Sequence, residues 1–398
     1  MSDRVRTVLV AGAGYGGINA ARHLARAGVD TLVVDRRNRA GWPPQSTSGL
    51  AKLWVRTYDL PTGGESTPIT GFRLYGPDGA GVALGGGILG EAGEVMVEHD
   101  VVARMERQAV DAGAEVVHGE TVLRVERCDG GWFAHLHPSG RLVTCHNILD
   151  ATGFQAWIGR QLGMVVEPDP EDMAGGVEIT VPRPDIHPPG EVRMWLSHTV
   201  APNGYAWAFP SVEDGVPHVR VGLGTPRSDS ESAGQYFRRF RAAHPEYGGA
   251  VHHRTGGIIP VAPVARALHR DGVYLLGDAG RLCCPVTGGG IWGAIASGEA
   301  AAGCIVDRDP DSYRARLGPL LRTLRLRWML KQLAFGLDED ELGGLVEFLG
   351  GLDLPHDGNI DPVIVGRQVA RRFFLTRPGL AATILHRGRF WRAVRAGS

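Results

Sequence analysis

The chain of 398 residues carries two lysines, Lys52 and Lys331, and almost all of its positive charge is arginine. With 42 basic and 43 acidic residues the formal net charge is −1, so no global field draws in nucleic acid. No uncharged run reaches about 18 residues, the length a membrane-crossing helix needs. The start, MSDRVRTVLVAGAGYGG, runs directly into a strand pattern and lacks the apolar stretch and cleavage site of a secretory leader; the expectation is a cytoplasmic protein. Five cysteines (Cys128, Cys145, Cys283, Cys284, Cys304) are odd in number and show neither CxxC nor zinc spacing, which argues for reduced thiols. His252 and His253 are adjacent and point to opposite faces of a strand, so no metal site is expected.

What is present begins at residue 6. RTVLVAG reads as a buried strand, 15 to 27 as a helix with small residues on one face, and TLVVD (31 to 35) as a second buried strand, together a βαβ unit. A helix over 99 to 113 leads into AEVVHG, TVLRVER, WFAHLH and RLVTC, then NILDATG. Strands at 191 to 197, 204 to 210 and 217 to 223 have little helix between them and suggest an antiparallel, β-rich layer. From about 306 the pattern is helical. Residues 336 to 361 are acidic, whereas 362 to 398 hold eight arginines and no acid. Two readings fit this contrast: surface helices paired by charge, or a basic amphipathic end that touches a membrane face.

At the turn between the first strand and the helix, Gly12 permits a tight bend, Gly14 lets backbone N–H groups reach a pyrophosphate, and Gly17 lets helix and sheet pack closely. Asp35 ends the second strand, where a carboxylate accepts hydrogen bonds from an adenosine ribose, and Arg36 follows it. This turn does not separate NAD from FAD. A second signal, YLLGDAGRLCCPVTGGGIWGAIASGEAAA (274 to 302), puts Gly277 and Asp278 after a short strand and opens a helix at Gly288, Gly289 and Gly290. An acid there suits a ribitol hydroxyl, and an open helix N-terminus suits the pyrimidine edge of a reduced flavin. Both point to FAD. There is no second GxGxxG, so reducing equivalents come from NAD(P)H docking transiently or from another reductant.

With these blocks in hand, the sequence resembles the flavoprotein family that contains geranylgeranyl reductases, a branch of the fold shared with aromatic hydroxylases of the p-hydroxybenzoate hydroxylase type. Its glycine turn matches Gly12, Gly14, Gly17 and Asp35; its GDAxG...PxxGxGI block matches Gly277, Asp278, Gly280, Pro285, Gly288, Gly290 and Ile291. DATGFQAWIGRQLG (150 to 163) and YAWAFP (205 to 210) match two further blocks, the latter similar to an element that lines the substrate cavity in the reductases. The resemblance departs in three places. Reductases of the group usually carry Cys-Gly-Gly near QSTSGLAK (45 to 52) and a lysine where this chain has Ser211; related proteins show an RxxLD pattern where Glu98 and Val102 stand.

The resemblance implies an α/β protein. A Rossmann-type FAD-binding domain is expected over 1–75, 97–165 and 252–305, an inserted antiparallel β-sheet substrate domain over 76–96 and 166–251, and a helical C-terminal region over 306–398. It implies an FAD-dependent oxidoreductase acting on a small hydrophobic metabolite (isoprenoid, aromatic or polycyclic) by reducing a double bond or by oxygenation. The alternatives are a flavin monooxygenase of secondary metabolism and a flavoprotein whose non-redox FAD accompanies lipid or metabolite binding. Tyr205, Trp207 and Phe209 alternate on one strand face and are the candidate substrate contacts. Cys283, Cys284 and Arg281 lie between Asp278 and the glycine-led helix and are the candidates for a catalytic role, as thiols near the ring edge and as a charge that neutralises an anion.

Overall fold

The computed structural model describes residues 5–63, 66–84, 92–334 and 336–352. The described residues divide into two compact units, the first comprising those up to Pro44, His99–Pro168 and Ile259–Arg327, the second those within 45–98, 169–258 and 328–352.

In the first unit the strand Arg6–Ala11 pairs in parallel with both Thr31–Asp35 and Leu142–Asp150. Val8, Leu9 and Val10 are fully buried, as is every residue of Thr31–Asp35, the uninterrupted apolar pattern of strands covered on both faces. The sheet continues through Val273–Leu275 on one side and Glu115–His118 on the other, and an antiparallel hairpin (Thr121–Cys128, Gly131–His137) joins Leu142–Asp150.

Two helices pack on this sheet, the first helix Tyr15–Arg26 and the late helix Ile291–Val306, and they approach backbone to backbone. A Cβ on Gly298 would lie 2.3 Å from the Gly16 carbonyl oxygen, and one on Gly16 would lie 3.0 Å from the Ala294 oxygen. The Asn19 side chain donates to the Ile295 carbonyl at 3.0 Å. Gly17 sits so close to the preceding turn that a Cβ would fall 1.9 Å from the Gly12 oxygen. The N-terminal turns of both helices are therefore brought side by side by residues without side chains. The Tyr313 hydroxyl donates to the Leu275 carbonyl at 2.9 Å, which ties 306–327 to the first unit.

The second unit is a seven-stranded sheet in the order His253–Ile259, Ala174–Pro182, Val216–Pro226, Tyr205–Glu213, Glu191–Trp195, Gly71–Tyr75, Gly81–Leu84. The register between Glu191–Trp195 and Gly71–Tyr75 is parallel, an exception within the antiparallel layer expected from the sequence. The helix Ala233–Ala243 covers one face, where Phe237 and Phe240 join Ile179, Val181, Ala206, Ala208, Val219, Val221 and Leu223. The chain enters this unit at Gln45, earlier than the sequence suggests, because Gly49–Ala51 and Ser66–Ile69 pair with Gly93–Met96 in a small sheet. Buried Glu98 closes that excursion by accepting from Gln45 N at 2.7 Å and Ser46 N at 2.8 Å. Helices Gly318–Ala334 and Glu339–Gly350 follow, the second capped reciprocally by Asp338 and Glu341. Among the described residues no helix is long and apolar enough to cross a membrane. The arginine-rich segment 362–398 lies outside the described residues.

The helix contact makes a direct prediction. Gly298→Ala drives a methyl into the Gly16 carbonyl and should cost about 2 to 4 kcal/mol of stability. A lowered urea midpoint is the expected result; an unchanged one contradicts the close approach.

Candidate functional site

Each of the three glycines at the first turn has a different surrounding. Gly12 has φ +109° and a Cβ there would meet the Ala151 oxygen at 2.3 Å, so strand geometry demands glycine. Gly17 is fixed by helix packing, as above. A Cβ on Gly14 would meet nothing within 4 Å. That opening lies at the N-terminus of the first helix, which has no side-chain cap and no acid in its first turn. Uncapped N–H groups, the positive end of the helix dipole and the space beside Gly14 together suit an anion such as a pyrophosphate.

Asp35 ends its strand within reach of this turn. Its Oδ2 accepts from Ala13 N at 2.6 Å and from the Arg37 guanidinium at 3.1 Å, and its Oδ1 accepts from Arg37 N and Nε at 2.8 and 3.0 Å. Burial works to raise its pKa, but the Arg37 hydrogen bonds and charge prevail and hold the carboxyl below its ordinary value. Arg37 occupies the carboxylate, whereas Arg36, singled out from the sequence, is exposed.

The second corner begins at Gly277 (φ +52°), where a Cβ would press on Ala294 at 3.0 Å, and Gly277 N donates to Ser297 Oγ at 2.9 Å. Asp278 follows. Its Oδ1 would lie 3.0 Å from a Cβ on Gly290, so glycine leaves room for this carboxylate at the mouth of the late helix. That helix also starts without a side-chain cap or a first-turn acid. Burial pushes the Asp278 carboxyl up to about 6. The loop between is closed by Cys284 N donating to the Gly289 oxygen at 3.0 Å and Gly288 N to the Cys284 oxygen at 2.8 Å. Gly288 takes φ +66°, Gly289 is exposed, and Pro285 and Ile291 are buried.

Cys283 and Cys284 are 1% and 3% exposed, and burial pushes the Cys283 thiol well above its ordinary range. The Cys284 sulfur accepts from Thr287 N at 3.4 Å. Arg281, in the left-handed conformation, donates its guanidinium to the Val166 carbonyl. Gly12, Gly14, Gly17, Asp278 and Gly288–Ile291 all belong to the first unit, joined there by the helix contact.

In the second unit the sheet face opposite the Ala233–Ala243 helix carries the aromatic residues. Register places Glu178, Gly222, Trp207 and Met194 in one row across four strands, and Thr180, Arg220, Phe209 and Val192 in the next. Trp207 lies against Gly222, whose missing Cβ would fall 2.4 Å from the indole, and its ring centroid is 5.5 Å from that of Tyr205. Phe209 packs on Gly49. Trp207 Nε1 donates to Glu178 Oε2 at 2.8 Å, and Thr47 Oγ1 donates to the same oxygen. Arg220 donates to Glu213 at 2.8 Å and to the carbonyls of Thr47 and Met96 at 2.8 and 3.2 Å. Sequence reasoning named the three aromatics but missed Glu178, Arg220 and Thr47. The available signal was a lone charge breaking each apolar run, in GGVEITV and in HVRVGLG.

The geranylgeranyl reductase catalytic domain family matches residues 172–258, and the NAD(P)-binding Rossmann-like domain family matches residues 10–47. The digeranylgeranylglycerophospholipid reductase of Thermoplasma volcanium is 30% identical over 306 residues, covering 74% of this chain and 76% of its own. Digeranylgeranylglycerophospholipid reductase 2 of Methanothermobacter thermautotrophicus is 29% identical over 370 residues, covering 87% and 92%. The crystal structure of a geranylgeranyl bacteriochlorophyll reductase-like protein from Thermoplasma acidophilum superposes with a TM-score of 0.85 at 25% identity, over 96% of this chain and 98% of that one.

The shifted carboxyl at the second corner sets a pH dependence. Asp278 keeps its proton to about pH 6 in the folded protein but releases it near 4 when unfolded, so its ionisation removes stability as pH rises from about 4 through 6. Asp278→Asn should therefore stabilise the flavin-free protein by about 2 kcal/mol at pH 7.5 and by nothing near pH 4. Denaturant titrations at the two pH values check this, and a gain that does not vary with pH contradicts it.

Proposed function

This chain belongs to the geranylgeranyl reductase-like family of FAD-dependent oxidoreductases, and from that premise we propose that it reduces carbon–carbon double bonds in a prenyl-type hydrophobic substrate, with NAD(P)H as the transient electron donor. One observation carries the reading. The segment that matches the reductase catalytic domain, 172–258, is the segment that builds the aromatic sheet face of Tyr205, Trp207 and Phe209.

Bound FAD supplies the two-electron redox chemistry. The chain's own residues bind and orient it. Gly14 leaves the approach to the first helix open, and the uncapped N–H groups there would donate to a pyrophosphate. Asp35 offers carboxylate oxygens to the adenosine ribose in exchange for part of its Arg37 contact. Asp278, which has the room that Gly290 provides, accepts from a ribitol hydroxyl. The open start of the late helix, Gly288–Ile291, would stabilise negative charge on a bound flavin. Trp207, Phe209 and Tyr205 seat the apolar chain and keep water from it. The reading gives Cys283 no redox step, since burial keeps its thiol protonated.

Two tests follow. Asp278→Ala should yield protein that no longer retains FAD; full flavin occupancy in that variant removes the role given to Asp278. Reduction of the bound flavin without oxygen, by NADPH or by dithionite, followed by digeranylgeranylglycerophospholipid or a free prenyl alcohol, should reoxidise the flavin and give products about two mass units heavier per double bond. A product about sixteen units heavier that needs oxygen overturns reduction in favour of oxygenation.

A further inference from the structure

The loop that leaves the second strand, DRRNRAGW (35–42), is pinned at some residues and open at others. Arg37 folds back on Asp35, its carbonyl accepts from Gly119 N and from the His118 ring at 3.1 Å each, and Ala40 and Gly41 are buried. These anchors leave Arg36, Arg39 and Trp42 at the surface. Among the described residues neither the Arg36 nor the Arg39 guanidinium pairs with a carboxylate, whereas exposed Arg124, Arg127 and Arg316 of the same unit each face one. Asp100, the acid beside this group, lies 3.8 Å from His99. The Trp42 indole carries Arg39 over its ring at 4.9 Å and the His99 ring edge-on at 5.5 Å, and it is still 43% exposed. Strands Arg6–Ala11, Thr31–Asp35 and Val273–Leu275 all run in one direction, so this loop leaves the sheet at the same edge as the Gly12 turn and Asp278.

Two guanidiniums without acids next to an exposed indole match one ligand chemistry. Arginine forks bind phosphate oxygens in pairs, and an indole stacks a purine. We propose that Arg36, Arg39 and Trp42 form the docking site for the 2′-phosphoadenosine end of NADPH, which this protein binds in preference to NADH. The inference rests on the proposed function only in taking a nicotinamide nucleotide as the donor. NADH presents a neutral 2′-hydroxyl where NADPH presents a phosphate, so the two arginines discriminate between them and Trp42 does not. Neither arginine is spent on Asp35, so a second nucleotide need not displace FAD from that carboxylate.

The test titrates the FAD-loaded, oxidised protein calorimetrically at low salt with 2′,5′-ADP and 5′-AMP, matched fragments that differ in the 2′-phosphate. 2′,5′-ADP should bind about tenfold more tightly or better. Arg36→Gln and Arg39→Gln should each remove most of that preference with flavin content unchanged. Trp42→Ala should weaken both fragments alike, by about fivefold or more. Equal binding of the two fragments by the wild-type protein, or binding of neither, overturns the proposal without any variant. Inorganic phosphate that displaces 2′,5′-ADP at equal concentration marks an unselective anion patch and overturns it, as does a preference confined to flavin-free protein, which puts the fragment in the glycine turn. A preference that survives both arginine substitutions, or a loss of flavin from either, overturns it too. The two readings fail separately: flavin reduced by NADPH without any fragment preference sinks this site and leaves the donor, whereas a site that behaves as stated in a protein that reduces no prenyl chain sinks the reductase chemistry alone.

Discussion

The arrangement of the first unit depends on two helices that approach at glycines, closely enough for their backbones to meet. Gly16 and Ala294 on one side and Gly298 and the Gly16 carbonyl on the other allow the first and late helices to touch along their backbones. Two corners of the chain more than 260 residues apart in sequence thereby present their N-termini together. Each N-terminus alone is a weak anion site, worth roughly 1 kcal/mol at the surface. The open Gly14, and Asp278 beside Gly290, lie at the starts of these two helices, with the Asp35 carboxylate bonded to the first turn.

The carboxylates differ in how they are prepared. Asp35 is held ionised by Arg37 and oriented by the Ala13 N–H. Asp278 has no comparable counter-charge, and burial favours its protonated form up to about pH 6. Ionising Asp278 therefore carries a cost that folding imposes, whereas ionising Asp35 does not.

Much of this was legible in the sequence because the signals are local. The GAGYGG turn, the strand that ends in Asp35 and the GDAG…GGGI block each specify their own backbone within about a dozen residues, and the family resemblance fixed their order. What was missed depends on pairing at a distance. The early departure into the second unit at Gln45 follows from strand register between 49–51, 66–69 and 93–96, which no local pattern encodes. Glu178 became visible only when register put it in the same row as Gly222 and Trp207, since a single acid in an apolar strand carries no partner in the sequence itself.

The central claim is that the two glycine corners jointly clasp one flavin. The most direct measurement is the FAD content of the purified protein together with its unfolding midpoint at saturating FAD. One flavin per chain and a midpoint raised by several degrees are the results predicted, since a ligand that binds only the folded form stabilises it. Colourless protein whose unfolding is indifferent to added FAD would contradict the account.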